Sequence, residues 1–468
     1  MPRIVVLGGG VCGLATATML ARDGNDVTVL ERDPEPVPGS CDEAWESWAR
    51  RGVAQFRQPH YVHARTRHVL EAELPDVADA LVADGARRFD PLTTLPPSIT
   101  DRAARPGDDR FVTLTARRPP FERAFARAAE DEPGVEVRRG VGVDGVLPGP
   151  SAGDGVLHVA GVRTSGGEEI HADLVVDAMG RGSKLPAWLA EAGADPVHEE
   201  AADSGFVYYT RFFRGTLPEY RAPLNMPIGS ISILTLPGDR DTWSVTIYGS
   251  TGDQPVKQLR HSDRWGAVME SLPLHAHWVQ GEPMGDVVAM SGIADRYRRI
   301  AGDGGPVATG VALVGDAAAC TNPSLGRGIS FGLMHAAGLP AIVREHVHDP
   351  RAFSEAWDAS TEERLTPWYR ATVAFDRGRR AQVEAIREGR PAPEPDTPAA
   401  KTTAALVAAV RHDPDVFRGF LDIMSCLALP QEVMARPGFA ERVSELAAAH
   451  DAPPPPGPSR EQLLALLA

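Results

Sequence analysis

Arg3-Ile4-Val5-Val6-Leu7-Gly8-Gly9-Gly10-Val11-Cys12-Gly13 stands near the start of the chain, an apolar run that breaks into glycines and continues as the small-residue segment Leu14 to Arg22. The run reads as a buried strand and the segment as a helix, and Val27-Thr28-Val29-Leu30 supplies the next strand. Strand, Gly-x-Gly-x-x-Gly, helix and strand in that order form a dinucleotide-binding unit. Gly8 makes the tight turn, Gly10 lets backbone approach a pyrophosphate, and Gly13 lets helix close on strand. The helix N-terminus then faces the anion. Glu31 ends the second strand, where its carboxylate can accept hydrogen bonds from ribose hydroxyls, and Arg32 follows it.

A second segment lies three hundred residues on. Val311-Ala312-Leu313-Val314 reads as a buried strand that delivers Gly315-Asp316-Ala317-Ala318-Ala319-Cys320-Thr321-Asn322-Pro323-Ser324-Leu325-Gly326-Arg327-Gly328 to a turn beside the cofactor. Here the chain resembles the flavoprotein monooxygenases of the group A aromatic-hydroxylase and flavin-epoxidase type. Their late motif reads Gly-Asp-Ala-Ala and is followed by a Pro and two closely spaced Gly. The resemblance implies FAD as cofactor, Asp316 on the flavin ribityl chain, and Pro323, Gly326 and Gly328 on a loop passing the flavin ring. Pro323 and Gly328 are its candidate catalytic-site positions, with no acid or base assigned. A helix N-terminus aimed at the ring would stabilise negative charge on reduced flavin.

Two weaker matches complete the resemblance. Asp173-Leu174-Val175-Val176-Asp177-Ala178-Met179-Gly180-Arg181-Gly182-Ser183 looks like the family's middle motif, a strand ending in Gly-Ala-Asp-Gly-x-x-Ser. Gly180 and Ser183 fit; the motif's acid falls on Met179, and the Arg that usually follows the Ser falls on Pro186. Because the family associates that motif with NADPH as well as FAD, direct use of a pyridine nucleotide is in question. Arg118-Pro119-Pro120-Phe121 resembles the family's Arg-x-x-Leu helix start, whose Arg reaches the flavin side. Arg50, just before Gly52-Val53, is a further candidate for the pyrophosphate.

Composition sets the outer limits. At 468 residues the chain has room for two domains and an appendage. Its 43 % hydrophobic and 24 % charged residues are ordinary globular values. A formal charge of −15 argues against nucleic acid as a main partner. Lysine occurs only at Lys184, Lys257 and Lys401, and with abundant Ala, Gly, Pro and Asp this points to a GC-rich bacterial genome. The cysteines Cys12, Cys41, Cys320 and Cys426 form neither a CxxC nor a ligand cluster, which fits a reduced, cytoplasmic protein. No apolar span reaches membrane length. The N-terminal apolar stretch runs into the glycine motif and reads as structure rather than as a signal peptide.

The expected fold class is α/β: a Rossmann-like FAD-binding domain of the glutathione-reductase and aromatic-hydroxylase type, with an inserted antiparallel-sheet substrate domain and a helical C-terminal extension. The FAD-binding part is expected over 1–90, 110–195 and 296–350, the substrate sheet over 91–109 and 196–295, and the helical region over 351–468. The sheet is read from aromatic-rich alternation: Phe206, Tyr208 and Phe212, then Ile231 and Ile233, then Trp243, Val245 and Ile247. Helices are expected from Trp45, over Arg65 to Leu81, and along one region from Arg351 to Glu388. Linkers fall at Pro391 to Asp396 and Pro453 to Pro456, and Ser459 with Gln462 caps a last short helix.

What the resemblance implies is a monooxygenase that forms a flavin C4a-hydroperoxide from O2 and transfers one oxygen to a small organic substrate by hydroxylation or epoxidation, in bacterial secondary metabolism or catabolism. NAD(P)H is the expected electron donor, directly or through a separate flavin reductase. A dehydrogenase of the geranylgeranyl-reductase type shares the expected fold. A flavin halogenase is disfavoured, since no Lys precedes Lys184 and Trp243 stands alone in Thr242-Trp243-Ser244. A non-catalytic escort-type protein is disfavoured by the intact glycines, Glu31 and Asp316. His60, His63 and His68 lack a carboxylate or thiol at ligand spacing, so no metal is expected and contact with flavin or substrate is the better reading of His60 and His63.

Overall fold

The apolar run at Arg3–Leu7 becomes the central strand of a five-stranded parallel sheet. Asp26–Glu31 lies on one side of it and Leu174–Asp177 on the other; Val135–Arg139 and Val311–Leu313 form the edges. Both faces of such a sheet are covered, which is why its inner strands carry the apolar runs 4–7 and 174–176, while the edge strand Val135–Arg139 is more polar. The helices Val11–Arg22 and Arg118–Asp131 cover one face through Leu14, Ala17, Phe121 and Phe125. The other face packs on Trp188, Leu189, Trp368 and Tyr369. This computed structural model describes residues 1–150, 155–302, 304–450 and 455–468, so Pro453 and Pro454 of the proline run lie outside the described residues.

The chain then leaves for an antiparallel sheet. Its strands run in the order Asn225–Ile228, Ile231–Pro237, Thr242–Ser250, Phe206–Arg214 and Glu282–Pro283, with Val288–Met290 pairing against Phe206–Arg214 as well. Because side chains alternate along a strand, the two faces differ. Val207, Tyr209 and Phe213 join Val245, Ile247 and Trp265 in an apolar core behind the sheet. Tyr208, Thr210 and Phe212, with Thr246 and Tyr248 across the register, form the opposite face toward the parallel-sheet unit.

Prolines and caps account for the helix boundaries. The early helix spans Cys41–Glu46, starting before Trp45 because the Ser40 hydroxyl accepts from Glu43 N at 3.1 Å. The helix expected over Arg65 to Leu81 is two, Ala64–Glu73 and Pro75–Ala83, since Pro75 starts the second at its first turn. The region from Arg351 also divides, into Pro350–Arg364 and Thr366–Arg387, with Pro367 in the first turn of the latter. At the C-terminus Ser459 and Gln462 form the expected capping box of Arg460–Leu467.

Both sheets are held by this helical region. Arg460 donates to Asp253 at 2.6 and 2.9 Å, while Leu463 and Leu467 enter the core behind the antiparallel sheet. Arg418 binds Asp108 at 2.8 and 2.7 Å, and Phe417 and Leu421 pack on Leu95, Ile99 and Phe111. The 91–109 segment therefore reaches the C-terminal helices and supplies no strand to the antiparallel sheet. Among the described residues no helix is long and apolar enough to cross a membrane.

One buried ion pair ties the two sheets at the start of helix Arg118–Asp131. Arg117 meets Asp239 through Nε at 2.8 Å and Nη2 at 2.7 Å, and its backbone N donates to the same carboxylate at 2.9 Å. Burial would raise the Asp239 carboxyl, but Arg117 holds it below its usual value. Arg117→Met strands that carboxylate, and we expect it to destabilise the protein by on the order of 3–5 kcal/mol in urea unfolding, with Arg117→Met/Asp239→Leu recovering most of the loss. An unchanged midpoint in the single variant would mean that the pair does not join the sheets.

Candidate functional site

Three segments far apart in sequence meet at one carboxylate. Asp316 follows strand Val311–Leu313 on a short 3-10 turn, Gly315–Ala317. A Cβ on Gly180 would lie 3.9 Å from Asp316 Cβ, and one on Gly328 would lie 3.7 Å from Asp316 Oδ1. Gly315 has φ +59°, and a Cβ there would touch Cys12 Cβ and Sγ, both at 3.1 Å. The late, middle and opening motifs thus converge. Asp316 is half-buried, and no described side chain or backbone N–H donates to its carboxylate. Desolvation raises its pKa, against the pull of Arg118 and Arg181.

The glycine loop shows the same unfilled character. A Cβ on Gly13 would stand 2.0 Å from Gly8 O, so this glycine is demanded by the protein itself. A Cβ on Gly10 would meet nothing within 4 Å. The space there is open, as a ligand that packs on backbone requires. Gly10 is also the N-cap of helix Val11–Arg22, and no side chain caps it. An uncapped helix N-terminus with open space at Gly10, next to a carboxylate to which no described residue donates, suits a dinucleotide with a hydroxylated chain such as FAD.

Behind the loop lies a charge cluster whose details sequence reasoning missed. Glu31 accepts from Gly9 N at 2.9 Å and Asp33 N at 2.8 Å. Arg50 is buried, donates to Gly9 O at 2.8 Å and Glu31 at 2.9 Å, and has Glu122 at 3.3 Å and Asp33 at 3.5 Å. Burial opposes its charge, but Glu122, Glu31 and Asp33 keep it protonated. Arg50 therefore braces the glycine loop from below. Arg32 is exposed and lies over Gly52. Arg118 is buried, binding Glu122 Oε1 at 2.8 Å and His60 Nε2 at 3.1 Å. In the middle motif the Asp177 carboxylate accepts from Met179 N at 2.9 Å and from the Ser183 hydroxyl. Burial raises Asp177 to about 6.

The histidines are neutral parts of the wall. Burial pushes His60 and His63 down to about 3. Arginine can only donate, so His60 Nε2 accepts from Arg118 and its Nδ1–H donates to Gln58 O at 3.0 Å. His63 Nε2 donates to Leu325 O at 2.6 Å. Among the described residues no group of His, Cys, Asp or Glu could hold a metal ion.

The loop Asn322–Gly328 faces the inner side of the antiparallel sheet and is held from several directions. Tyr208 O–H donates to Asn322 Oδ1 at 2.7 Å, Asn225 Nδ2 to Ser324 O at 2.9 Å, and Asn322 N to Asp295 at 2.8 Å. From the C-terminal helices come Asp376, which binds the Ser324 hydroxyl, and Thr372, which accepts from Arg327 at 3.1 Å. Gly326 takes φ +66°, and a Cβ there would meet Tyr61 Cβ at 3.0 Å. Beyond the loop the wall is aromatic: Tyr61 sits 6.5 Å from Phe89, Phe89 5.5 Å from Tyr220, and Trp45 4.8 Å from Phe212. Thr210 donates to Gln58 Oε1 at 3.1 Å among these rings. Asp376 was detectable in sequence as an acid on the stripe Trp368, Thr372, Asp376 of a buried helix face.

Comparison with known proteins agrees with this geometry. Residues 3–74 match the model of the FAD dependent oxidoreductase family. Protein Rv3254 of Mycobacterium tuberculosis is 27% identical over 364 residues, covering 72% of this chain and 71% of that protein. Chloroplastic zeaxanthin epoxidase of Oryza sativa is 28% identical over 186 residues, 39% of this chain and 26% of that enzyme. The solved structure of PqsL from Pseudomonas aeruginosa, described as a probable FAD-dependent monooxygenase, superposes with a TM-score of 0.60 at 17% identity, covering 83% of this chain and 97% of that one. The fold is thus the α/β FAD-oxidoreductase fold with an antiparallel sheet.

The two glycines separate ligand from fold. Gly10→Val is expected to leave the circular dichroism and melting temperature near wild type while yielding colourless protein, because only the ligand's space is filled. Gly13→Val is expected to lose folded protein, because its Cβ strikes the Gly8 carbonyl. Yellow Gly10→Val protein with bound FAD would contradict this placement.

Proposed function

We propose that this FAD-dependent oxidoreductase is a monooxygenase that places one oxygen atom from O2 on a small organic substrate, by hydroxylation or epoxidation. The observation that carries the reading is the aromatic lining around the Asn322–Gly328 loop, in which Tyr208 and Phe212 of the antiparallel sheet are joined by Trp45, Tyr61 and Phe89 from the first part of the chain. A site of that kind excludes water from a reactive oxygen species and gives a flat, apolar substrate a surface to lie on. The likeness of part of the chain to zeaxanthin epoxidase supports oxygen transfer over simple dehydrogenation.

In this reading the chain divides into an FAD-binding part (1–90, 110–195 and 296–350), a substrate part (91–109 and 196–295) and a C-terminal helical part (351–468). Bound FAD would supply dioxygen activation and oxygen-atom delivery. The amides at the start of helix Val11–Arg22, beside Gly10, would hold the pyrophosphate, with Gly8 making the turn and Gly13 letting the helix close on the strand; Glu31 and Arg32 would lie toward the adenosine side, and Arg50 would brace the loop beneath the pyrophosphate. Asp316 would bind the ribityl chain. Pro323, Gly326 and Gly328 would bring backbone close to the ring, beside the N-terminus of helix Gly328–Ala336, which favours negative charge. Arg118, held by Glu122 and His60, would add a fixed positive charge next to Asp316. The buried hydroxyls of Thr210 and Thr246, 2.8 Å apart on the inner face, and the Gln58 side chain would fix the wall behind the substrate.

Electron supply is read from the middle motif. Met179 and Pro186 stand where the middle motif has an acid and an Arg, so we propose that NAD(P)H reduces the flavin slowly unless substrate or a separate flavin reductase is present. Anaerobic mixing with NADPH, followed by oxygen, tests both statements. We expect slow reduction by NADPH alone, then a rapid oxygen-dependent absorbance phase that precedes return of oxidised flavin. Rapid reduction without substrate or partner would sink the reductase idea, and a single-phase return with a true substrate present would move the assignment to a dehydrogenase.

A further inference from the structure

Asp376 is a buried carboxyl that the proposed oxygen transfer does not use. It projects from helix Thr366–Arg387, is 3 % exposed, and reaches the flavin-proximal loop. The Ser324 hydroxyl donates to its Oδ1. The side-chain nitrogen of Asn322 is turned toward the same carboxyl and favours its charged form, without closing to a full hydrogen bond. The oxygen of that amide is already taken, since Tyr208 O–H donates to it at 2.7 Å. Burial raises the Tyr208 phenol, so Tyr208 stays protonated and remains the donor.

This fixes the polarity of the chain of contacts. An asparagine side chain offers one accepting oxygen and one donating nitrogen. With the oxygen committed to Tyr208, the nitrogen needs an acceptor, and so does the Ser324 hydroxyl. An ionised Asp376 accepts from Ser324 and keeps its second oxygen free to take the Asn322 nitrogen. A protonated Asp376 is itself a donor: a proton on Oδ1 would be given to the Ser324 oxygen, which must then turn its own hydrogen elsewhere, and a proton on Oδ2 would oppose the Asn322 nitrogen. In the second case the Asn322 amide accepts that proton only by turning its oxygen away from Tyr208.

The surrounding charges place that change within reach of ordinary pH. Burial and the facing Asp295, from strand Ala294–Arg299, raise Asp376 to about 7; Ser324, Asn322 and Arg327 oppose them. Arg327 lies on the loop itself and spends its donors on Thr372 at 3.1 Å and Ile423 O at 2.8 Å; no carboxylate among the described residues forms an ion pair with it. Tyr208 and Tyr248 face Asp376 from the sheet. Arg379, on the same helix, is committed to Ile231 O at 2.8 Å and Gly229 O at 3.0 Å.

We propose that Asp376 is a positioning residue: ionised, it holds Ser324, Asn322 and Tyr208 in the arrangement that receives the flavin, and protonation releases that arrangement. The proposal rests on the FAD reading and adds to it a proton-linked control of the loop from the C-terminal helices.

Two measurements test it on the full-length protein. The first is the FAD dissociation constant from about pH 5 to about pH 9. Affinity is expected to rise about tenfold with pH through a midpoint near 7. Asp376→Asn should be flat and resemble the wild type at low pH, and Ser324→Ala should move the midpoint upward by removing a donor to the carboxylate. An Asp376→Asn variant that keeps the wild-type midpoint, merely with weaker binding throughout, overturns the proposal. The second is thermal unfolding without added flavin. A carboxyl raised in the folded state contributes stability that is present at low pH and is lost as pH rises from its unfolded value toward about 7. The wild type should therefore lose melting temperature relative to Asp376→Asn over that range. A difference that does not vary with pH overturns the proposal even if the chain binds no flavin, an outcome that would separately remove the oxygenase reading.

Discussion

A half-buried carboxylate to which no described residue donates is the constraint around which this molecule is arranged. Removing a charge from water without a compensating partner is unfavourable. Asp316 is nevertheless held at the meeting point of three backbone segments that glycines allow to approach. The strand before it, the Gly180 turn and the Gly328 helix start all bring main chain to within side-chain distance of it. Arg118 and Arg181 moderate its charge from a distance and leave its oxygens free. Such a carboxylate is free to accept a donor from outside, and a hydroxylated cofactor chain is one.

The rest of the fold follows from keeping that position fixed while leaving one side of it open. The parallel sheet and its covering helices fix the glycine loop and Asp316. The antiparallel sheet supplies the opposite wall and is pinned to the first unit by Arg117 and Asp239. The C-terminal helices close the arrangement: they pack under the parallel sheet through Trp368 and Tyr369, insert Leu463 and Leu467 behind the antiparallel sheet, and reach the loop through Asp376 and Thr372. The loop that would face the flavin ring is therefore set by all three regions at once.

Much of this was legible in the chain because local periodicity and glycine geometry carry it. The opening strand, turn and helix, the aromatic alternation from Phe206, and the capping box at Ser459 all rest on neighbours in sequence, and all are present. Helix boundaries moved where a single residue decides them, as Ser40, Pro75 and Pro367 do. The bracing of the site was not legible. Arg50 with Glu31 and Glu122, and Asp376 with Ser324, join residues that only the folded chain brings together. Side-chain pairing at long range leaves no periodic trace, apart from an acid on an otherwise buried helix stripe.

We propose that Asp316 accepts a hydrogen bond from bound FAD. The most direct test is the FAD dissociation constant of Asp316→Ala beside that of the wild type, with folding checked by thermal melting. Loss of one charge-assisted hydrogen bond should weaken binding by on the order of 1.5–3 kcal/mol, roughly tenfold to hundredfold, with the melting temperature of the flavin-free protein kept or raised. Unchanged FAD affinity in that variant would contradict the account.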